Sequence, residues 1–272
     1  MNAAANDISR FYDRWMRWPV WQEYYGHSGF FNVGYWLPDT YNQTEACENL
    51  IEKLLGFLPA TRGTILDIAC GLGATTRHLL KHYPASDVIG INISGSQLRQ
   101  CRLNIPPCRF LQMDAARLGF GDATFDTIIC VEAAFHFNTR LQFLHEAYRV
   151  LKPGGFLLLS DMFFAPPLTL DRAILPEANH IDNVDTYTKL YVQVGFQPVH
   201  VTDATEQSWS AFRQHVLRWA QGMAFVGAIS DQVFRSLVHN FPGFDVSHYL
   251  LVAARKFSPA LVDQAGAPDG SH

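Results

Sequence analysis

Charge is scarce in this chain. Only 17% of its 272 residues are Asp, Glu, Lys or Arg, and 21 cations stand against 25 anions, for a formal net charge of −4. Soluble domains usually carry about a quarter. No run of basic residues occurs, which excludes a nucleic-acid binder led by bulk charge, because neutralising phosphates takes concentrated Lys and Arg. Paired cysteines are missing too. Cys47, Cys70, Cys101, Cys108 and Cys130 make an odd count with no C-x-x-C pair, so zinc-ribbon and thioredoxin-type sites lack their ligands. Such usage fits a reducing, cytoplasmic compartment. Long apolar runs are also lacking. The longest, near 156–164, is broken by Ser160 and Asp161 and is far too short to span a bilayer. Met1–Ser9 has none of the apolar core of a secretory signal, and no internal repeat occurs. What the chain has in quantity is apolar side chains, at 48%, which excludes a mainly disordered chain and supplies a substantial core.

Those apolar residues follow two rhythms. Over 1–58, Phe11, Tyr12, Trp15, Trp18 and Trp21 recur at helical spacing, and Leu50, Ile51, Leu54, Leu55 and Leu58 mark a second amphipathic helix. An aromatic loop, Phe30 to Trp36, lies between them and is closed by Pro38. This segment is expected to be a helical cap. From 59 to 205 short β-branched runs alternate with helical stretches. Strands are expected at Thr64–Ile68, Val88–Ile91, Arg109–Gln112, Thr127–Val131 and Phe156–Ser160, with a later one at Gln197–Asp203. Such alternation predicts an α/β core, a mostly parallel sheet with helices on both faces. Lys152-Pro153-Gly154-Gly155 reads as the turn that stops a helix and launches a strand. Residues 206–243, rich in Trp209, Phe212, Trp219, Met223 and Phe225, are expected to be an inserted helical lid. A last core strand is expected within 244–258, and the tail 259–272 is expected to be disordered.

The central signal is Ile65-Leu66-Asp67-Ile68-Ala69-Cys70-Gly71-Leu72-Gly73-Ala74-Thr75-Thr76. A strand ends in an acid, and a turn of small residues opens a helix. In open α/β sheets ligands sit beyond the carboxyl ends of the strands, and glycine lets backbone approach them closely. A dinucleotide fingerprint needs G-x-G-x-x-G and a later acid for the ribose. Here Thr76 stands at the third glycine and Asn92 at the acid, so the nicotinamide reading fails twice. A ligand with an amino-acid end and no phosphate fits better, because Asp67 can accept from its ammonium.

The stretch resembles motif I of class I S-adenosylmethionine-dependent methyltransferases, with Ala69 in place of that family's first glycine. The resemblance continues in order through Val88-Ile-Gly-Ile-Asn-Ile-Ser94, Phe110-Leu-Gln-Met-Asp114-Ala115, Phe125-Asp126-Thr-Ile-Ile-Cys-Val-Glu132-Ala133, Arg149-Val-Leu-Lys-Pro-Gly-Gly155 and Tyr249-Leu-Leu-Val-Ala-Ala-Arg255. It is dense over 63–165 and loose elsewhere. It implies a doubly wound, mostly parallel, seven-stranded Rossmann-like sheet. It also implies S-adenosyl-L-methionine as cofactor and S-adenosyl-L-homocysteine as product. The cofactor site would comprise Asp67, Ala69, Gly71 and Gly73 of the loop, Asn92, Ile93 and Gln97 after the second strand, Asp114 and Ala115 at the adenine, and Glu132. Relatives mostly place an acid where Asn92 stands, to hold the ribose hydroxyls; an amide can donate to one and accept from the other.

A hydroxyl acceptor is a poor nucleophile until a base takes its proton. His136 follows the fourth strand at the sheet edge where the substrate would lie, which makes it the expected general base. Asp161, at the end of the fifth strand, is the expected partner that orients it. Tyr12, Tyr35, Trp36, Phe135 and Phe163 are expected to form an aromatic lid over an apolar or aromatic small-molecule acceptor. Asp171, Glu177, Asp182 and Asp185 are spaced too irregularly for a metal set, so no metal is expected. The expected reaction is methyl transfer to a hydroxyl oxygen of a natural product, sugar or lipid-like compound. Alternatives are carbon methylation of quinone-biosynthesis type, a fold repurposed for a reaction such as cyclisation, and a non-catalytic binding protein. The sequence leaves a homodimer open.

Overall fold

The structure, a computed structural model, describes residues 3–165, 175–239 and 246–258. Pro166, Pro167, Asp171, residues 240–243 and the tail 259–272 lie outside them. Seven strands form one sheet: β1 (Ile65–Ile68), β2 (Val88–Asn92), β3 (Arg109–Gln112), β4 (Phe125–Val131), β5 (Leu151–Phe164), β6 (Phe196–Asp203) and β7 (Val246–Lys256). Their order is β3-β2-β1-β4-β5-β7-β6, and only β7 runs antiparallel to its neighbours. The strand order reverses between β1 and β4, which is where a doubly wound sheet opens a crevice for ligands.

Helices α1 (Ala3–Trp15), α2 (Pro19–Tyr24) and α3 (Gln43–Leu55) precede the sheet. Helices α4 (Ala74–Leu79), α5 (Gly95–Asn104), α6 (Arg140–Val150) and α7 (Val184–Val194) connect its strands, and α8 (Ala211–Phe225) and α9 (Asp231–His239) stand between β6 and β7. Polar residues start the longer ones: the side chains of Asn42, Ser94, Thr139 and Asn183 accept from the backbone N–H three residues on, at Glu45, Gln97, Gln142 and Thr186. All four residues of β1 are buried, including Asp67, as expected of a central parallel strand covered on both faces. Among the described residues no helix is long and apolar enough to cross a membrane.

β5 is longer than the sequence suggests, at both ends. Phe125 pairs with Leu151 and Thr127 with Phe156, so Lys152–Gly155 bulge out of the ladder instead of preceding the strand. The strand then continues past Ser160 to Phe164, held by nine pairings with β7. Side chains alternate across it. Leu158, Met162 and Phe164 pack on the face covered by the cap, with Trp21 and Tyr25. Leu157, Leu159 and Phe163 pack on the other face, with Phe143, Tyr187 and Tyr191 of α6 and α7. This alternation decides which residues reach the crevice.

Candidate active site

A cavity of about 620 Å³ opens beyond the carboxyl ends of β1, β2 and β4. The cap helix α1, the glycine loop and residues of β5, α8 and α9 wall it. Its lining is mainly aromatic and aliphatic, with Tyr12, Trp15, Phe31, Phe135, Phe164 and Phe212 in the wall.

The loop after β1 forms one end. Asp67 is almost fully buried, and its Oδ2 accepts from Thr76 Oγ1 at 2.6 Å. Burial pushes its carboxyl up to about 7, against the opposing pull of the Thr76 bonds. Ala69 has φ +59° and Gly71 φ +55°. A side chain at Gly71 would meet nothing nearer than Met16 Cε at 3.8 Å, so its bare backbone faces open cavity. Gly73 does a different job. Its φ is +85°, and a Cβ there would lie 2.8 Å from Ile105 Cδ1 and 3.1 Å from Cys101 Sγ. Gly73 is required for packing α4 against α5, and it does not line the cavity as the sequence reading expects. Ala69 therefore keeps the left-handed backbone that glycine would adopt freely, at a cost of about 1–2 kcal/mol. Ala69→Gly is expected to raise stability by about 1 kcal/mol, once the greater freedom of the unfolded glycine chain is deducted. An unchanged or lower urea midpoint would contradict that.

Asn92, Ile93 and Gln97 line the cavity beside this loop. Asn92 Nδ2 donates to Gln97 Oε1 at 2.8 Å and to the Gly71 carbonyl at 3.3 Å, and its Oδ1 accepts from Ser94 N at 3.2 Å. Asp13 of α1 closes over the same turn. It accepts from Ser94 Oγ at 2.9 Å, Gln97 Nε2 at 2.8 Å and Ser96 Oγ. Partial burial opposes its charge, but the donors from Ser96, Gln97 and Ser94 outweigh it and hold the carboxyl below the ordinary range. Sequence reading places the neighbouring Tyr12 in the lid but gives Asp13 no role, because its partners lie more than eighty residues away. Asp114 and Ala115 line the cavity as well.

Glu132 also reaches the wall, in a left-handed conformation at φ +50°. Its Oε1 accepts from Val33 N at 2.8 Å and Tyr249 Oη at 2.6 Å, which ties the cap to β7. Burial pushes its carboxyl up to about 7, with those two hydrogen bonds pulling the other way.

His136 sits in the short turn after β4 and is 7% exposed. Its Nε2 lies 2.6 Å from Tyr12 Oη, and Phe135 stacks against its ring at 4.0 Å. Burial, with the Glu132 charge nearby, pushes the Tyr12 phenol well above its usual range, so Tyr12 keeps its proton. The phenol donates in this hydrogen bond when Nε2 carries no proton of its own.

Asp161 is not the partner of His136. It is an odd-numbered residue on β5 and faces the opposite side of the sheet. Its Oδ2 accepts from Arg140 Nε at 2.8 Å and Tyr187 Oη at 2.9 Å, and its Oδ1 accepts from Met162 N at 2.9 Å. Phe163 faces the same way, 5.1 Å from the Tyr187 ring, and does not line the cavity. Met162 and Phe164 line it instead. Tyr35 and Trp36 are likewise outside the wall. Tyr35 N donates to the Ala46 carbonyl on α3, and the Trp36 ring packs 4.3 Å from His215. Both brace the cap from behind. Of the four acids too irregularly spaced for a metal set, Asp182 pairs with His180 at the surface, at 3.1 Å.

The family described as "Methyltransferase domain" matches residues 66–159. The chain is 27% identical to the erythromycin 3''-O-methyltransferase of Saccharopolyspora erythraea, over 84% of this chain and 83% of that one. It is 30% identical to methyltransferase GfsG of Streptomyces halstedii, over 65% and 69%. Its fold superposes on the solved structure of the 4+2 cyclase SpnF with a TM-score of 0.72, 20% identity, and coverage of 93% and 97%. The switch-point cavity, the glycine loop that follows a buried acid, and the methyltransferase relatives agree: the chain belongs to the class I S-adenosylmethionine-dependent methyltransferases of small molecules.

Proposed function

We propose that this enzyme methylates a hydroxyl oxygen of an apolar, natural-product acceptor. The observation that carries the proposal is the Tyr12–His136 hydrogen bond inside an apolar cavity, because a proton acceptor set among aromatic side chains suits a lipophilic alcohol or phenol. The erythromycin-modifying relative, an O-methyltransferase by name, supports the oxygen assignment.

The residues present fit the cofactor. Gly71 leaves room for it, and Asp67 is a buried carboxyl that accepts from Thr76 and forms no ion pair among the described residues, the complement of a ligand ammonium. Asp67 would hold that ammonium, Asn92 and Gln97 the ribose, and Asp114 the adenine amino group. When bound, the cofactor supplies a sulfonium-activated methyl group. The chain's own part is to orient the acceptor and take its proton. An acceptor hydroxyl donating to Tyr12 Oη passes its proton to that oxygen as the phenol proton moves to His136 Nε2. The high affinity of Tyr12 for its proton forbids a standing phenolate, so both transfers occur together.

Asp67 makes cofactor binding pH-dependent. Its carboxyl must be ionised to pair with an ammonium, and the free protein holds it protonated below about pH 7. Affinity for S-adenosylhomocysteine is therefore expected to fall about tenfold for each pH unit below that value, with one proton released on binding. Calorimetry in buffers of different ionisation enthalpy measures both. An affinity that stays flat between pH 5.5 and pH 8 (a window of about one and a half units below and one above) would sink the assignment.

The reaction itself is tested by offering hydroxylated polyketides and phenols with S-adenosylmethionine and locating any added methyl by mass spectrometry and NMR. Methyl on oxygen is the expected result. Methyl on carbon, or a product formed without gain of a methyl group, would overturn it; the latter would align the chain with the cyclase it resembles in fold.

A further inference from the structure

We propose that Glu52, His78 and His82 bind a divalent first-row transition metal, Zn²⁺ foremost, between α3 and the end of α4. None of the three lines the methyltransferase cavity. Glu48 and Glu52 are four residues apart on α3, and His78 and His82 are four apart on the facing segment. Side chains at that spacing share a helix face, so each element turns two potential ligands toward the other.

The geometry converges. His78 Nε2 lies 2.6 Å and His82 Nε2 2.8 Å from the same carboxylate oxygen, Glu52 Oε1. The three ligand atoms all fall within 4.8 Å of one another. Tetrahedral zinc holds nitrogen and carboxylate ligands at about 2.0–2.2 Å, which sets neighbouring ligand atoms about 3.4 Å apart. The half-exposed Glu52 carboxylate has only to retreat by less than about 1 Å to admit the ion. Its exposure leaves the fourth position to water.

A second observation points the same way. His78 is 4% exposed, yet its Nδ1 has no hydrogen-bond partner. Glu48 Oε1 stands 3.6 Å from it, held by Lys81 Nζ at 3.0 Å. A metal-bound imidazole donates its other N–H to a carboxylate, which fixes the ring and strengthens the ligand. Glu48 is placed for that role, and a small rotation of His78 toward an ion completes it. At 3.6 Å from Glu48 Oε1 this nitrogen makes no hydrogen bond, and buried polar atoms are rarely left so.

Two imidazoles with one carboxylate select the donor class. Calcium and magnesium take all-oxygen sets, whereas imidazole suits zinc, nickel, cobalt and copper. The ion would tie the cap helix α3 to α4, the helix that the cofactor loop opens. Because the ligands converge only in the folded chain, the metal would stabilise it.

The test uses the full chain, stripped with a chelator and titrated with ZnCl₂ and CoCl₂ alone. Calorimetry, visible absorbance and thermal midpoint are read. One saturable site, tetrahedral Co²⁺ bands and a raised midpoint are expected. His82→Ala and Glu52→Gln change partly exposed side chains that the fold tolerates. Each should abolish the Co²⁺ bands. Each should also weaken Zn²⁺ by more than the about 10–100-fold expected for Glu48→Gln. Absence of saturable binding overturns the proposal. So does Zn²⁺ affinity that is unchanged in either variant, which would place an adventitious ion elsewhere on the surface.

Discussion

Replacing His136 with Ala is expected to lower the methyl-transfer rate about 10²–10⁴-fold, the contribution typical of a placed proton acceptor, with S-adenosylhomocysteine affinity nearly unchanged. The separation follows from position. His136 faces Tyr12 across the apolar part of the cavity, while the proposed cofactor contacts come from the loops after β1, β2 and β3. Tyr12→Phe divides two forms of the mechanism. If the phenol relays the acceptor's proton, Tyr12→Phe loses nearly as much kcat as His136→Ala, and the double variant loses little more, since both act on one proton. If Tyr12 is only wall, its loss raises KM and spares kcat. Normal turnover in His136→Ala would remove the base from the mechanism altogether.

The parts of this fold that were legible in the sequence are those written locally. Asp67 to Thr76 is a continuous stretch whose strand, turn and helix sit within a dozen residues, and its substitution of Ala69 for glycine did not move the backbone out of the left-handed region. The stop of α7 at Gly195, which takes φ +113°, is equally local. What failed was non-local. Asp161 looked like a strand end because the apolar run is interrupted there, whereas pairing with β7 carries β5 to Phe164. Three further residues turn an edge position into a mid-strand one, and parity then sends the carboxylate away from the cavity. Its partner Arg140 lies 21 residues off on another element. Tyr12 and His136 are 124 residues apart, and no spacing rule joins them. Aromatic character and the family resemblance both place Tyr35 and Trp36 in the lid. Gly34 beside them shows why they turn away: with φ +80°, a Cβ there would lie 2.6 Å from Ala46 Cβ, so this segment is pressed onto α3.

Asp161→Ala should therefore be a folding defect before it is a catalytic one, with a loss of about 3–5 kcal/mol in unfolding free energy. Asp161 is fully buried and Arg140 is 4% exposed. Removing the carboxylate leaves a guanidinium charge with no counter-ion in an apolar layer. It also strips Tyr187 of its acceptor, and Tyr191 donates to Tyr187 in turn at 2.6 Å. The damage reaches the site through Arg140, which donates to the carbonyl of the cavity residue Met162 at 2.9 Å and also holds the turn around His136. Arg140 donates to the Asn179 carbonyl, Asn179 Oδ1 accepts from Arg140 N at 2.7 Å, and Asn179 Nδ2 holds the Phe135 and Phe137 carbonyls on either side of His136. A loosened Arg140 loosens that turn. Folded Asp161→Ala protein at low temperature should show a reduced kcat, with S-adenosylhomocysteine affinity close to that of wild type. An Asp161 that acted on the imidazole directly would instead lower kcat at unchanged stability. The double variant Arg140→Met, Asp161→Leu supplies the decisive contrast. It removes both charges at once, and an apolar pair of similar volume is often as stable as the buried ion pair it replaces. It should recover most of the urea midpoint lost in Asp161→Ala. A double variant as unstable as the single would mean that the network's hydrogen bonds, and not the orphaned charge, hold this face of the sheet together.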